Sequence, residues 1–333
     1  MRTGRILGFG TSYYHCVSRI VDARFRLNAR EKERFRELMR RVAAFSGVEV
    51  LTYALMDNHI HLLLRVPEKR VLPEGEVLDR IAALYGRNHA KSVEKNLNQY
   101  RKDGQAAKAD GLLLYYTRRM HDLSAFMKML LQRYSQSYNR RYDRRGHLWE
   151  DRFKSVLIEG KPGALSTIAA YIDLNPVRAG VVKTPERYRY SGYGEAMAGV
   201  GVARRNLKRL CELLGIEGTW GKMVKGYRYH LYAEAAAHQK KGVVIDREKL
   251  EKTLREGGKL TLGELLHCRV RYLTDGVALG SRGFVETVFK EYRKRFGVKR
   301  KTGARKPRFA DWGDLYTMRD LRVNPVSLSP PPE

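Results

Sequence analysis

Residues 48–66 hold two runs rich in apolar, β-branched and aromatic residues, VEVLTYAL and HIHLLLRV, separated only by Met56-Asp57-Asn58. A connection of three residues cannot carry a crossover helix, so two strands joined this way return antiparallel beside each other. Upstream, residues 11–20 (TSYYHCVSRI) alternate and are rich in Tyr, Val and Ile, which predicts a third strand. Asn28 with Glu31 three positions later reads as a helix N-cap. Phe35, Leu38, Met39, Val42 and Phe45 then recur at helical spacing until Ser46-Gly47 closes the helix. The order is strand, helix, strand, strand.

Residues 67–120 are polar and basic with local helical character, and read as an insertion or arm. Leu123, Phe126, Met127, Leu130 and Leu131 mark a second core helix running to about Arg141, and residues 153–158 fit a further strand. Pro162 can open a third helix at its first turn, and Pro176 ends it near Asn175. An antiparallel sheet with helices on one face is an α+β arrangement, and we expect this domain to span residues 1–195, with the insertion at about 67–120. Residues 196–333 read as mostly helical. Thr261 and Glu264 form a capping-box pattern, and after TDGVALGS a helix carries Phe284, Val285, Val288, Phe289, Tyr292 and Phe296 on one face. Two helices around a glycine-bearing connection fit a DNA-reading helix-turn-helix, although ordinary helical domains share that spacing. The stretch KRFGVKRKTGARKPR that follows is expected to be a flexible basic tail.

Charge narrows the class of partner. Lys and Arg number 65 against 36 Asp and Glu, a formal net charge of +29. So large a surplus repels itself and makes sense against a polyanion. An anionic membrane surface is the weaker reading, because the basic residues are spread along the chain among Tyr and Trp, and no stretch reaches the roughly 18 apolar residues of a span. The N-terminus lacks a secretory apolar run, and a cytoplasmic location is expected. Cys16, Cys211 and Cys268 are odd in number and far apart, which supports neither a disulfide framework nor a cysteine zinc site.

Two motifs carry chemistry. On a strand, His59 and His61 point off one face while Ile60 packs into the other, giving half of a divalent metal site. Two surface or hydrogen-bonded histidines are the plain alternative. In YIDLNPVRAG, Tyr171 and Asn175 are i and i+4 on a helix whose buried stripe is Leu165, Ile168, Ala169 and Ile172. Tyr171 falls at the edge of that stripe, with its phenol expected to be free. A phenolate can attack a phosphodiester polarised by a metal, and Asn175 could supply a third, neutral oxygen ligand. The plain alternative is a boundary tyrosine followed by a helix-ending asparagine.

MDNHIHLLL, GHLWEDRFKS and YIDLNPVRAG together resemble the REP-associated tyrosine transposases, relatives of insertion-sequence transposases in the HUH single-tyrosine superfamily. The resemblance spans roughly residues 11–195. It implies a ferredoxin-like sheet, a divalent metal (magnesium or manganese), and cleavage of single-stranded DNA near hairpins. Carried over residue by residue, it implies metal ligation by His59, His61 and Asn175, the last where relatives often have Gln, and nucleophilic attack by Tyr171. Tyr134 and Tyr138 are rival nucleophiles, but both continue the apolar stripe of their helix. The insertion at 67–120 departs from the compact members of the family.

Arg133, Arg140, Arg141, Arg144, Arg145, His147, Trp149, Arg152 and Lys154 mix basic and aromatic groups. Such a surface can follow a phosphate backbone while a ring stacks an unpaired base, or it is a solvated basic face with Trp149 buried. The activity expected is metal-dependent cutting and rejoining of single-stranded or hairpin DNA through a 5′-phosphotyrosine, by a monomer or homodimer. No GxxxxGK[ST] loop is present, in keeping with an ATP-independent reaction. Two other classes share the same composition: a non-catalytic nucleic-acid-binding regulator, and a nuclease that uses metal-activated water.

Overall fold

The computed structural model describes residues 5–21, 27–236, 262–266, 268–319 and 326–327. Strand β1 (Ser12–Arg19), helix α1 (Ala29–Ser46), β2 (Glu49–Leu55) and β3 (His59–Val66) follow the expected order. The Asn28 side chain accepts from the Glu31 N–H, as the cap pattern requires. Gly47 ends the helix at φ 68°, a left-handed turn that a side chain would also crowd, since a Cβ there would lie 2.6 Å from His121 Nε2. Next come α2 (Glu74–Tyr85), α3 (Arg87–Lys102), α4 (Ala106–Thr117), α5 (Leu123–Arg141), β4 (Lys154–Ile158), α6 (Pro162–Asp173) and α7 (Asn175–Arg178).

β3 and β4 both pair antiparallel with β1, and β2 pairs antiparallel with β3, giving the order β2-β3-β1-β4. This is the ferredoxin-like arrangement that the resemblance implied. Pleating divides its side chains between two cores. Tyr14, Cys16, Ile60, Leu62 and Leu64 pack with Phe35, Met39, Val42 and Phe45 of α1 and with Phe126, Met127 and Leu130 of α5. Each such burial contributes about 1.5–3 kcal/mol. Tyr13, Leu63, Val156 and Ile158 face the other way, onto Leu165, Ile168, Ala169 and Ile172 of α6.

The α+β class therefore holds, but helices cover both faces of the sheet where one face was expected. The reason lies in β1, β3 and β4, which carry large apolar residues at both parities, so neither face can be left to water. The stretch at 67–120 is three helices whose Val77, Ile81, Leu84, Val93 and Leu97 join the α1 core. The charged residues of both signs that surround it on α2 and α3 hide that stripe in the sequence.

Beyond residue 191 lie α8 (Gly192–Met197), α9 (Gly201–Leu213), α10 (Trp220–Ala236), α11 (Leu262–Leu266), β5 (Arg269–Val270), α12 (Arg271–Thr274), β6 (Ala278–Gly280), α13 (Arg282–Glu291), β7 (Tyr316–Thr317) and β8 (Val326–Ser327). β6 pairs parallel with β4 and antiparallel with β7, extending the main sheet to six strands. Among the described residues, the expected helix-turn-helix does not form. The connection between α11 and α13 holds β5, α12 and β6, and β6 is spent on the sheet. Thr261 lies outside the described residues.

The expected flexible tail is anchored as well. The Glu286 carboxylate accepts from the Gly303 and Ala304 N–H groups at 3.0 and 2.8 Å. A Cβ at Gly303 would lie 2.3 Å from Phe289 Cβ, so only glycine lets the chain run this close to α13. Arg305 and Thr317 exchange backbone bonds. No helix among the described residues is long and apolar enough to cross a membrane.

Candidate active site

The register of β1 against β3 sets Val17 opposite His61 and Arg19 opposite His59. His15, two residues along from Val17, shares the face of the two histidines, which is the face that α6 covers. His15 is fully buried and His61 is 3% exposed. Their rings stack with centroids 5.0 Å apart, and His15 Nε2 lies 2.8 Å from His61 Nδ1. On its far side, His15 Nδ1 lies 2.7 Å from the Leu273 carbonyl. His59 meets His61 edge-on at 5.0 Å. Its Nδ1 is 2.6 Å from Asn58 Oδ1, and it also hydrogen-bonds Asn175.

All three imidazoles are held neutral. Burial lowers His15 to about 4, against the opposing pull of the Leu273 carbonyl. Burial, then the charges of Arg19, Arg178 and Arg269, lowers His59 to about 3. His61 falls well below the usual imidazole range through burial and its two histidine neighbours.

Tyr171 stands on α6 with its ring edge-on to both His15 and His61, centroids 6.1 Å away in each case. The phenol is not free at a helix edge, as the stripe suggested: Tyr171 is 1% exposed. Leu165, Ile168 and Ile172 share a core with Leu63 and Val156 of the sheet, and Leu266, Cys268, Val270 and Leu273 pack into the same core as the tyrosine. The phenolic oxygen accepts from the Val270 N–H at 3.4 Å. Arg178, two residues past the NP pair, lies with Cζ 4.0 Å from the Tyr171 ring centroid and donates to the Tyr171 and Leu266 carbonyls. The C-terminal end of α6, next to Tyr171, is fixed by Asp173, whose buried carboxylate accepts from Thr52 Oγ1 at 2.6 Å and the Tyr227 hydroxyl at 2.5 Å. Burial raises that carboxyl to about 7.

The structure thus brings His59, His61, Asn175 and Tyr171 together, and adds His15, Arg19, Arg178 and Arg269, which sequence reasoning did not single out. Arg178 was visible in the YIDLNPVRAG motif, and His15 in the alternation of β1. The basic cluster is less uniform. Arg140, Arg145, His147 and Arg152 are exposed, and Lys154 pairs with Asp275. Arg133 covers the Tyr85 ring at 4.9 Å, Arg144 donates to Asn139, and Arg141 binds the buried Glu31. Trp149 is half-buried against Phe35 and donates its indole N–H to the Leu131 carbonyl, so its ring does not stand free for a base. Tyr134 is buried and donates to Glu31 at 2.9 Å, and Tyr138 is buried beside it.

Among the described residues no three His, Cys, Asp or Glu side chains converge as a metal cage. The donors available are two neutral imidazoles and one amide oxygen, a set that suits a borderline divalent ion and leaves coordination positions for other oxygens. The residues fit such an ion. Because the set brings no negative charge and lies near Arg19, Arg178 and Arg269, an anion is the natural further occupant.

Residues 9–105 match the family model described as "Transposase IS200 like". A solved structure described as that of a REP-associated tyrosine transposase bound to a REP hairpin is 14% identical, with a TM-score of 0.39, over 60% of this chain and 86% of that one. No curated protein matches the chain. Over the residues that hold β1, α1, β2, β3 and the His59–His61 pair, the chain is similar to the IS200-like transposases, the relatives to which its own motifs pointed.

Proposed function

We propose that the protein cuts and rejoins single-stranded DNA through a covalent bond between the Tyr171 phenolic oxygen and a 5′ phosphate. The observation that carries this reading is the meeting of a tyrosine with two neutral histidines and an asparagine, the Tyr171 and His61 rings being 6.1 Å apart. His59, His61 and Asn175 would hold a divalent ion, magnesium or manganese, which supplies polarisation of the scissile phosphate. The chain's own residues do the rest. Asn58 orients His59, and Asp173 fixes the helix that carries the nucleophile. Val270 draws back from the phenol before a phosphate reaches it. As the tyrosine oxygen bonds to phosphorus, the bond to the 3′ oxygen breaks, the phenol gives up its proton, and the 3′ oxygen takes one. The phosphotyrosine keeps the energy of the phosphodiester, so a 3′-hydroxyl can reverse the step without a nucleotide cofactor. The strand we assign is one folded into a hairpin, with Arg140, Arg145 and Arg152 as exposed cations along its phosphates.

The test is denaturing electrophoresis of end-labelled hairpin DNA with Mg²⁺ or Mn²⁺, wild type beside Tyr171→Phe. A metal-dependent, detergent-stable protein–DNA band that the variant lacks is expected. Cleavage with no band would favour a water-using nuclease, and binding without cleavage would favour a regulator.

A further inference from the structure

The His15–His61 contact has a chemical direction. A carbonyl oxygen can only accept, so the 2.7 Å contact to Leu273 O fixes a proton on His15 Nδ1. A neutral His15 then has a bare Nε2, which accepts, and the group 2.8 Å away at His61 Nδ1 must carry the proton between them. His61 is left with Nε2 as its only unprotonated nitrogen. Without His15, a neutral imidazole is free to protonate at either nitrogen, and in one of those forms Nε2 is a donor with no electron pair to offer.

We propose that His15 is a positioning residue: anchored on the Leu273 carbonyl, it locks His61 in the Nδ1–H tautomer and so presents Nε2 for coordination. Nothing about His15 places it against substrate. It is fully buried, stacked on His61, and diagonal to it across the β1–β3 pair, where Val17 is the direct partner. The carbonyl it uses lies 258 residues away in sequence, in the segment that also touches Tyr171 through Val270 and Arg178 through Leu266. The arrangement matches the general rule that a metal-binding imidazole has its second nitrogen held by a hydrogen-bond partner that fixes tautomer and ring angle. Here that partner is another histidine, whose own tautomer is set by backbone. The role rests on the metal site proposed above.

The experiment separates the two ideas. Full-length protein labelled with ¹⁵N-histidine and free of metal gives the His61 tautomer directly, with the His61 signals identified from a His61→Gln sample. Wild type is expected to hold Nδ1–H. His15→Phe is expected to shift His61 toward a mixture and to weaken Mn²⁺ binding, measured by calorimetry, by roughly 10–100-fold. His15→Gln keeps one donor and one acceptor in the same side chain, and is expected to recover most of both. A wild-type His61 protonated at Nε2, or Mn²⁺ affinity unchanged in a folded His15→Phe protein, would overturn the proposal. If His15→Phe does not fold, the wild-type tautomer and the Gln variant still decide it. Wild type that holds the Nδ1–H tautomer yet binds no Mn²⁺ would overturn the metal reading while supporting the relay.

Discussion

Both faces of the sheet bury a polar cluster with a tyrosine in it, and the two clusters are built differently. Beneath α1, Glu31 is enclosed by Arg34, Arg141 and the Tyr134 hydroxyl. Burial alone would raise its carboxyl, and these hydrogen bonds bring it below the usual range instead. Opposite charges meet there and the cluster closes on itself. Beneath α6, His15, His61 and His59 contain no charge pair, and the hydrogen-bond chain that begins at Leu273 O runs out at a bare nitrogen. A closed cluster spends its bonding capacity on holding one helix to another, here α1 to α5. An open one keeps capacity for something that is not protein.

The sharpest way to break this contrast is to exchange the tyrosines' fates. Tyr171→Phe is expected to lower adduct formation by roughly 10⁴-fold or more, the scale on which losing a nucleophile acts. Tyr134→Phe should leave the adduct intact and cost about 1 kcal/mol in denaturant unfolding, the worth of one hydrogen bond. An adduct that survives in Tyr171→Phe and vanishes in Tyr134→Phe would invert the assignment. Next in size, Glu31→Gln is expected to destabilise the fold by about 1–3 kcal/mol. That sits below the figure for a wholly buried pair, because the Arg141 side chain keeps 24% exposure. Adduct yield per folded molecule should not change.

The two faces should also fail in different pH windows. The imidazoles of His15 and His59 are depressed to about 4 and about 3, against an unfolded value of about 6.5. Below that value the unfolded chain takes up protons that the folded chain refuses, so stability falls as pH drops from about 6.5 toward 4. Glu31, held low, contributes stability above its unfolded value of about 4.3 and loses it only as pH falls further. Thermal melts between pH 7 and 5 should therefore have a shallower slope in His15→Phe, by about one proton, and the wild-type slope in Glu31→Gln. The smallest effect belongs to the surface. Arg140→Ala and Arg145→Ala are each expected to reduce the salt dependence of single-strand binding by about 0.7 in log–log slope per lost phosphate contact. Neither should move the melting temperature.

How far the sequence carried depends on the distance over which each signal acts. α1 was legible from Asn28, Glu31 and Gly47, because caps are local, and the shared face of His59 and His61 follows from strand periodicity alone. His15 stood in plain view in the first strand run. Its partner, however, is His61 across the β1–β3 pairing, and no short-range pattern announces register. The second helical layer was hidden because β1 and β3 are apolar at both parities, which a buried sheet demands and a two-residue period does not reveal. The connection TDGVALGS conceals a strand because β6 is only three residues long and gets its pairing from β4 and β7. The burial of Tyr171 could not be seen from its helix at all, since the residues that cover it come from another part of the chain.

That last point bears on how the molecule is made. Tyr171 and Val270 are 99 residues apart. At about 5–20 residues per second, a ribosome emits the tyrosine roughly 5–20 s before its cover, and the histidines earlier still. For that interval the phenol has no lid, and His15 and Arg178 each lack one of their backbone partners. The arrival and folding of the segment around Leu266, Val270 and Leu273 is therefore the step in synthesis at which Tyr171 is first shut away.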